Sequence, residues 1–194
     1  MYLNLSVIKL TCARSKLILT TANHPYYVLF LCTHNTARSI IAQAVLTHLE
    51  PERFIAFSAG THPSADGKVH PYTLAALADQ GIAIDGLASK SWHVFNNPRA
   101  LVMDLVITVC EGAAQETCPQ WPGQPATAHW SYPDPVSMFA TEEVRMQAFE
   151  RAVQVFSRRL AVFAQLPEER LDTYRLEQRA RMVATRWAQL DATV

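Results

Sequence analysis

The run Val28-Leu29-Phe30-Leu31-Cys32-Thr33-His34-Asn35-Thr36-Ala37-Arg38-Ser39 sets a thiol at the end of an apolar segment and a guanidinium six positions later. Backbone N–H groups in a loop between a strand end and a helix start converge at the positive end of the helix dipole and seat an anion. A thiolate at the mouth of that seat is a nucleophile aimed at a bound oxyanion. Arg38 supplies a planar fork matched to two oxygens of a tetrahedral anion, which Lys cannot reproduce. Thr33, His34, Asn35, Thr36, Ala37, Arg38 and Ser39 form the expected anion-binding loop. Within it, Asn35 tolerates a left-handed backbone, and the Ser39 hydroxyl can donate to the sulfur. The helix terminus and the guanidinium together predict a Cys32 pKa below the usual thiol value of about 8.5.

Three further residues complete the chemistry. Asp134, in Tyr132-Pro133-Asp134-Pro135, suits a general acid, because a departing oxide or hydroxide needs a proton and Pro135 holds the acid extended. The competing reading is a turn-forming Asp between two prolines. Cys110 and Cys118 have a C-x7-C spacing, unlike a zinc knuckle. Were 111–117 a helix, its ends would lie ~12 Å apart, whereas a disulfide needs Cα atoms within about 7 Å, so a Cys110–Cys118 bond requires unwinding. Two unrelated buried cysteines would show the same spacing. No histidine spacing marks a metal site, and His24, His48, His62, His70 and His129 read as surface or turn residues.

The elements that must position these groups alternate between strand and helix. Strands are expected at 27–31, Phe54–Ser58, Leu105–Val109 and Ala126–Trp130. Helices are expected at 39–49, at Pro71–Gln80 with Pro at its start and Gly81 as its stop, and from Thr141 onward. Phe149, Val153, Phe156, Leu160 and Phe163 make the core stripe of that last helix. The alternation predicts an α/β fold with a parallel sheet covered on both faces. Ligands of such sheets bind beyond the carboxyl ends of the strands, where Cys32, Cys110 and Asp134 all fall.

Residues 1–26 carry Lys9, Arg14 and Lys16 but no acid, and read as an extension without an assigned role; Cys12 lies there. The catalytic domain is expected over 27–166, followed at 167–194 by a helical extension with Leu176, Ala180, Val183, Trp187 and Leu190 on one face. The 17 basic and 17 acidic residues cancel, which argues against nucleic acid or an anionic membrane as partner. No apolar run approaches the ~20 residues of a membrane span. Four cysteines are too few and too unevenly placed for a secreted disulfide scaffold, so a cytoplasmic setting is expected.

The chain resembles the arsenate reductases of the low-molecular-weight tyrosine phosphatase superfamily, in particular the thioredoxin-coupled branch. The resemblance spans Tyr27 to about Leu166. It is carried by Cys32 to Ser39, Phe57-Ser58-Ala59-Gly60-Thr61, Ser89-Lys90-Ser91-Trp92, Asp104 to Cys110, Cys118-Pro119, Trp121 to Pro125, Ala128-His129-Trp130 and Pro133-Asp134-Pro135. It implies a flavodoxin-like sheet of four parallel strands, and arsenate as substrate. It also implies a mechanism in which Cys32 attacks arsenate held by the loop and Arg38, and Asp134 protonates the departing oxygen. Cys110 then attacks the Cys32 adduct to release arsenite, and Cys118 resolves the Cys32–Cys110 disulfide. The resulting Cys110–Cys118 disulfide passes to thioredoxin or glutaredoxin, the external reductant, with no tightly bound cofactor.

Two positions depart from the family pattern. His34 stands where many members have Gly, and its side chain would crowd the anion seat, add a charge beside the thiolate, or simply be tolerated at the surface. His93 stands where relatives often carry an acid, which argues against the potassium ion that some relatives bind near Asn35 and Ser58. Two other functions use the same residues. A small phosphotyrosine phosphatase shares Cys32, Arg38 and Asp134, but usually carries Tyr where this chain has Val136; a reductase on the same loop would keep weak phosphatase activity. A non-enzymatic protein could instead hold arsenite on Cys32, Cys110 and Cys118.

Overall fold

The computed structural model describes residues 25–117, 119–137 and 141–165. Cys118, residues 1–24 of the extension expected over 1–26, and the helical stripe expected in 167–194 lie outside the described residues. The order of elements is β1 (Tyr26–Cys32), α1 (Arg38–Leu49), β2 (Phe54–Gly60), α2 (Pro71–Asp79), β3 (Leu105–Thr108), α3 (Glu111–Gln115), β4 (Ala126–His129) and α4 (Glu142–Ala164). Short 3-10 helices occupy Trp92–Phe95 and Pro135–Ser137.

The four strands form one sheet in the order β2-β1-β3-β4, with every neighbouring pair parallel. β1 reads as a continuous apolar run because both of its faces are covered. Val28 and Phe30 enter the larger core with α1, α2 and α4, while Leu29 and Leu31 enter a smaller one with Trp92, Phe95, Met103 and Trp121. Helices cover the two faces unequally: the four α-helices all bury residues on the first, and the Trp92–Phe95 turn with its flanking loops closes the second. The expected stripe of α4 is the buried one, with Phe149, Val153, Phe156, Leu160 and Phe163 all in the core.

Expected boundaries shift by one or two residues. β1 runs on to Cys32 and β2 to Gly60, β3 stops at Thr108 and β4 at His129. α2 ends at Asp79, with Gly81 just beyond at a φ of 68°, as its stop role requires. The segment 111–117 is helical only from Glu111 to Gln115, because Glu116 has an extended backbone. Among the described residues no helix is long and apolar enough to cross a membrane.

Pairing register sets the site. Cys32 lies beside Gly60, Leu31 beside Thr108, and Thr108 beside His129. The chain steps from β1 outward to β2, then returns across to β3, so the strand order reverses between β1 and β3. Ligands bind at such a switch point, and Cys32 and Cys110 stand on its two sides.

Candidate active site

The loop Cys32–Ser39 turns its carbonyls outward. Cys32 O accepts from Thr61 N (3.2 Å), Thr33 O from His62 N (2.8 Å) and His34 O from Ser64 N (3.3 Å) and Ser89 Oγ (2.9 Å). Thr36 O accepts from His70 N (3.0 Å) and Thr73 Oγ1 (2.9 Å). With its carbonyls tied to the surrounding scaffold, the loop presents N–H groups to the centre. Ala37, the N-cap of α1, offers no side-chain acceptor, and no acid stands in the first turn of that helix. The first-turn amides are thus left to an incoming anion.

Asn35 is the hub of the loop. Its φ of 52° is the left-handed conformation expected from the sequence. Its N–H donates to Cys32 Sγ (3.2 Å), its Nδ2 to Ser39 Oγ (2.8 Å), and its Oδ1 accepts from Lys90 N (2.8 Å). Ser39 Oγ in turn lies 2.9 Å from Cys32 Sγ. Since Asn35 donates to Ser39, the Ser39 proton is directed to the sulfur. Gly60 leaves room for the loop: a Cβ there would meet Thr33 O at 2.7 Å and Asn35 N at 3.1 Å.

Cys32 departs from one expectation. Burial is the strongest influence on it and pushes the thiol up from its ordinary value. The hydroxyl and N–H of Ser39, the Arg38 charge and the Asn35 N–H pull it down without overcoming burial. Sequence reading anticipated the donors but not the depth at which the strand end sets the sulfur, where the charged form is desolvated.

Arg38 opens α1 and reaches the acid. Its Nη2 lies 2.8 Å from Asp134 Oδ2 and its Nη1 3.3 Å from Tyr132 O. Asp134 Oδ1 accepts from Val136 N (3.1 Å), which fixes the carboxylate on the turn after β4. A pocket of about 230 Å³ beside Cys32 is lined by His34, Thr36, Ala37, Arg38, Ser64, Asp134 and Val136. His34 is exposed at its rim. A second pocket, on the other side of Arg38 and Asp134, is lined by Thr33, Cys110 and Glu111. Buried Cys110 caps α3, accepting from Ala113 N (3.4 Å), and Thr33 Oγ1 stands 3.4 Å from its sulfur. The structure thus brings together Cys32, Arg38, Asp134 and Cys110 around the loop.

At the position where the sequence puts a potassium ion in doubt, the polar groups already have protein partners. Asn35 Oδ1 is occupied by the Lys90 N–H, and Ser58 donates to Gln43 Oε1 (2.6 Å). Among the described residues no group of His, Cys, Asp or Glu could hold a metal ion.

Several supporting residues escaped sequence reading. Arg159, buried in α4, donates to Ser131 O (3.1 Å) and so braces the segment that carries Asp134. Its signal was a charge on the core side of the helix, between Phe156 and Leu160. His129 bridges Thr108 Oγ1 (2.8 Å) and Glu111 Oε1 (3.2 Å), beside Cys110, and is not the plain surface residue expected. His70 is half-buried, caps α2 by accepting from Tyr72 N (3.2 Å), and stacks on Phe149 at 4.7 Å. No local pattern marks either histidine.

The family described as low molecular weight phosphotyrosine protein phosphatase matches residues 27–173. An arsenate reductase of Shouchella clausii is 32% identical over 143 residues, 73% of this chain and 96% of that protein. A glutaredoxin arsenate reductase of Synechocystis is 30% identical over 133 residues, 68% of this chain and 96% of that protein. A solved arsenate reductase in its oxidised state is similar at a TM-score of 0.55 and 25% identity, covering 69% of this chain and 92% of that one. The match over residues 27–173 and the relatives of 30% identity or more show that the chain belongs to the low molecular weight phosphotyrosine protein phosphatase family.

Proposed function

We propose that this chain is an arsenate reductase working by a thiol relay through Cys32, Cys110 and Cys118. The supporting observation is the placement of two buried thiols at the ends of the adjacent strands β1 and β3, with Thr33 of the anion loop in contact with the second thiol. Of the thiols, a phosphatase needs Cys32 alone. The exposed Val136 at the pocket mouth offers no aromatic platform for a phosphotyrosine ring, and a small tetrahedral oxyanion suits the pocket better.

In this reading the loop amides and Arg38 bind arsenate, and the Cys32 thiolate attacks arsenic. Asp134 gives its proton to the departing oxygen. Cys110 then attacks Cys32 Sγ; the S–As bond breaks, its electron pair stays on arsenic, and As(V) leaves as As(III). The Cys118 thiolate attacks Cys110 Sγ, and Cys32 departs as a thiolate. A dithiol carrier of the thioredoxin or glutaredoxin class reduces the Cys110–Cys118 disulfide and restores the enzyme.

The test is arsenite release from arsenate with thioredoxin, thioredoxin reductase and NADPH, run in parallel with glutaredoxin and glutathione. Cys32→Ser should abolish arsenite release along with any hydrolysis of phenyl phosphates. Cys118→Ser should give a single turnover and stall as a Cys32–Cys110 disulfide, whereas Cys110→Ser should stop before arsenite leaves. Full multiple turnover without Cys110 and Cys118 would overturn the relay and leave a phosphatase-like activity in its place.

A further inference from the structure

Helix α3 has five residues, and only Ala113 among them is buried. An isolated helix of that length does not persist in water, so tethers at its ends must hold it. At its start, Cys110 accepts from Ala113 N, and Glu111 is bound to His129 at 3.2 Å. At its end, Thr61 Oγ1 donates to Glu116 Oε1 at 2.7 Å, and His62 Nδ1 stands 3.5 Å from the same oxygen. The second tether is anchored in the anion loop, because Thr61 N and His62 N bind the carbonyls of Cys32 and Thr33.

We propose that the Thr61–Glu116 contact is a latch on the relay, which makes Glu116 a positioning residue that sets how readily Cys118 reaches Cys110. The proposal rests on the relay reading above. Glu116 precedes Cys118 by two residues. Over α3 the helical rise places Cys110 and Glu116 ~9 Å apart. The extended backbone of Glu116 (φ −74°, ψ 149°) ends the helix there. A Cys110–Cys118 disulfide needs Cα atoms within about 7 Å, so its formation draws the end of this segment toward Cys110, and a Glu116 held by Thr61 opposes that movement. The start of α3 can stay in place, since Cys110 is itself the relay sulfur. While the latch is closed, Cys110 remains the N-cap facing Thr33, ready for the Cys32 adduct. When it opens, the Cys118 thiolate attacks Cys110 Sγ, the Cys110–Cys32 bond breaks, and Cys32 leaves as a thiolate.

The latch can be tested without arsenate. Hydrogen exchange over 111–117 is measured in the reduced full-length chain. Cys110–Cys118 disulfide formation is measured in a Cys32→Ser background with diamide, which takes up the two electrons and two protons released by the thiols. Thr61→Val, which removes the hydroxyl and keeps the shape, and Glu116→Ala should each raise both rates about fivefold, the net size of one ordinary solvent-accessible hydrogen bond. Thr61→Ser should restore both rates to the parent's, and alkylation of Cys32 in the otherwise unmutated chain should not change. Unaltered exchange and disulfide rates in both Thr61→Val and Glu116→Ala would overturn the latch. So would equally faster exchange over Cys32–Ser39, because Thr61 would then support the anion loop and not α3. A chain that released no arsenite from arsenate would refute the relay reading while leaving these two measurements to decide the latch.

Discussion

Arg38 Nη2 stands 2.8 Å from Asp134 Oδ2, so the cation suited to clamp an oxyanion is bound to the acid suited to protonate its leaving group. In the proposed mechanism an arriving oxyanion competes with Asp134 for that guanidinium, so binding and proton delivery are coupled through one ion pair.

That coupling separates two effects of Asp134→Asn. Turnover should fall by ~10²–10⁴, the usual worth of a positioned proton donor. Oxyanion binding should tighten about two- to fivefold, because a partly buried ion pair no longer competes for Arg38. Inhibition by phosphate, measured alongside kcat, checks both. Weaker phosphate binding in the variant would show that Asp134 seats the anion and is not its proton donor.

Ser39 is the strongest counterweight to burial at Cys32. Removing its hydroxyl in Ser39→Ala withdraws a hydrogen bond to the charged form. The apparent Cys32 pKa should rise further above the ordinary thiol value, because burial then meets less opposition. Since the thiolate alone reacts, alkylation by iodoacetamide speeds up as pH rises, and the whole curve should move to higher pH in the variant. An unmoved curve would mean that Ser39 does not donate to the sulfur.

The anion loop was legible because its signal is local: an apolar strand, a thiol, a permissive Asn35 and an Arg at a helix start all lie within one short run. The α4 stripe was legible for the same reason. What escaped depends on long-range pairing. Thr61 and Glu116 are 55 residues apart, and Arg159 and Ser131 are 28 apart, and neither pair carries a local mark. The Cys32 pKa was misjudged because sequence shows donors more readily than depth of burial. Five-residue α3 had only a conditional place in the sequence reading, since a helix held by its ends leaves no periodic pattern to mark it.

Gly60 tests how closely β2 supports the loop. A Cβ at this position would lie 2.7 Å from Thr33 O and 3.1 Å from Asn35 Cβ. Backbone cannot swing aside as a side-chain tip can, so Gly60→Ala should displace the loop. A loss of about 1–3 kcal/mol in stability is expected from such overpacking, together with weaker phosphate binding. Denaturant unfolding and phosphate inhibition give the two readouts. A variant with unchanged stability and unchanged binding would show that the loop tolerates displacement.

His70 links pH to the same loop. Its N–H binds Thr36 O, and its ring Nδ1 accepts from Tyr72 N as the N-cap of α2. Burial, and secondarily the Arg145 charge, hold its pKa below the ordinary value, although Asp134 acts in the opposite sense. A histidine whose folded pKa is lowered binds fewer protons folded than unfolded. Its contribution is therefore fully present above the unfolded value of about 6.5 and is lost as pH falls through and below it. Protonation also removes the acceptor that caps α2, a contact worth about 1 kcal/mol. His70→Asn keeps a capping acceptor but does not titrate. Thermal unfolding from pH 7 to pH 5 should destabilise the parent more than His70→Asn, and phosphate binding should weaken more in the parent over the same range. Parallel pH profiles for the two proteins would remove His70 from the control of the anion loop.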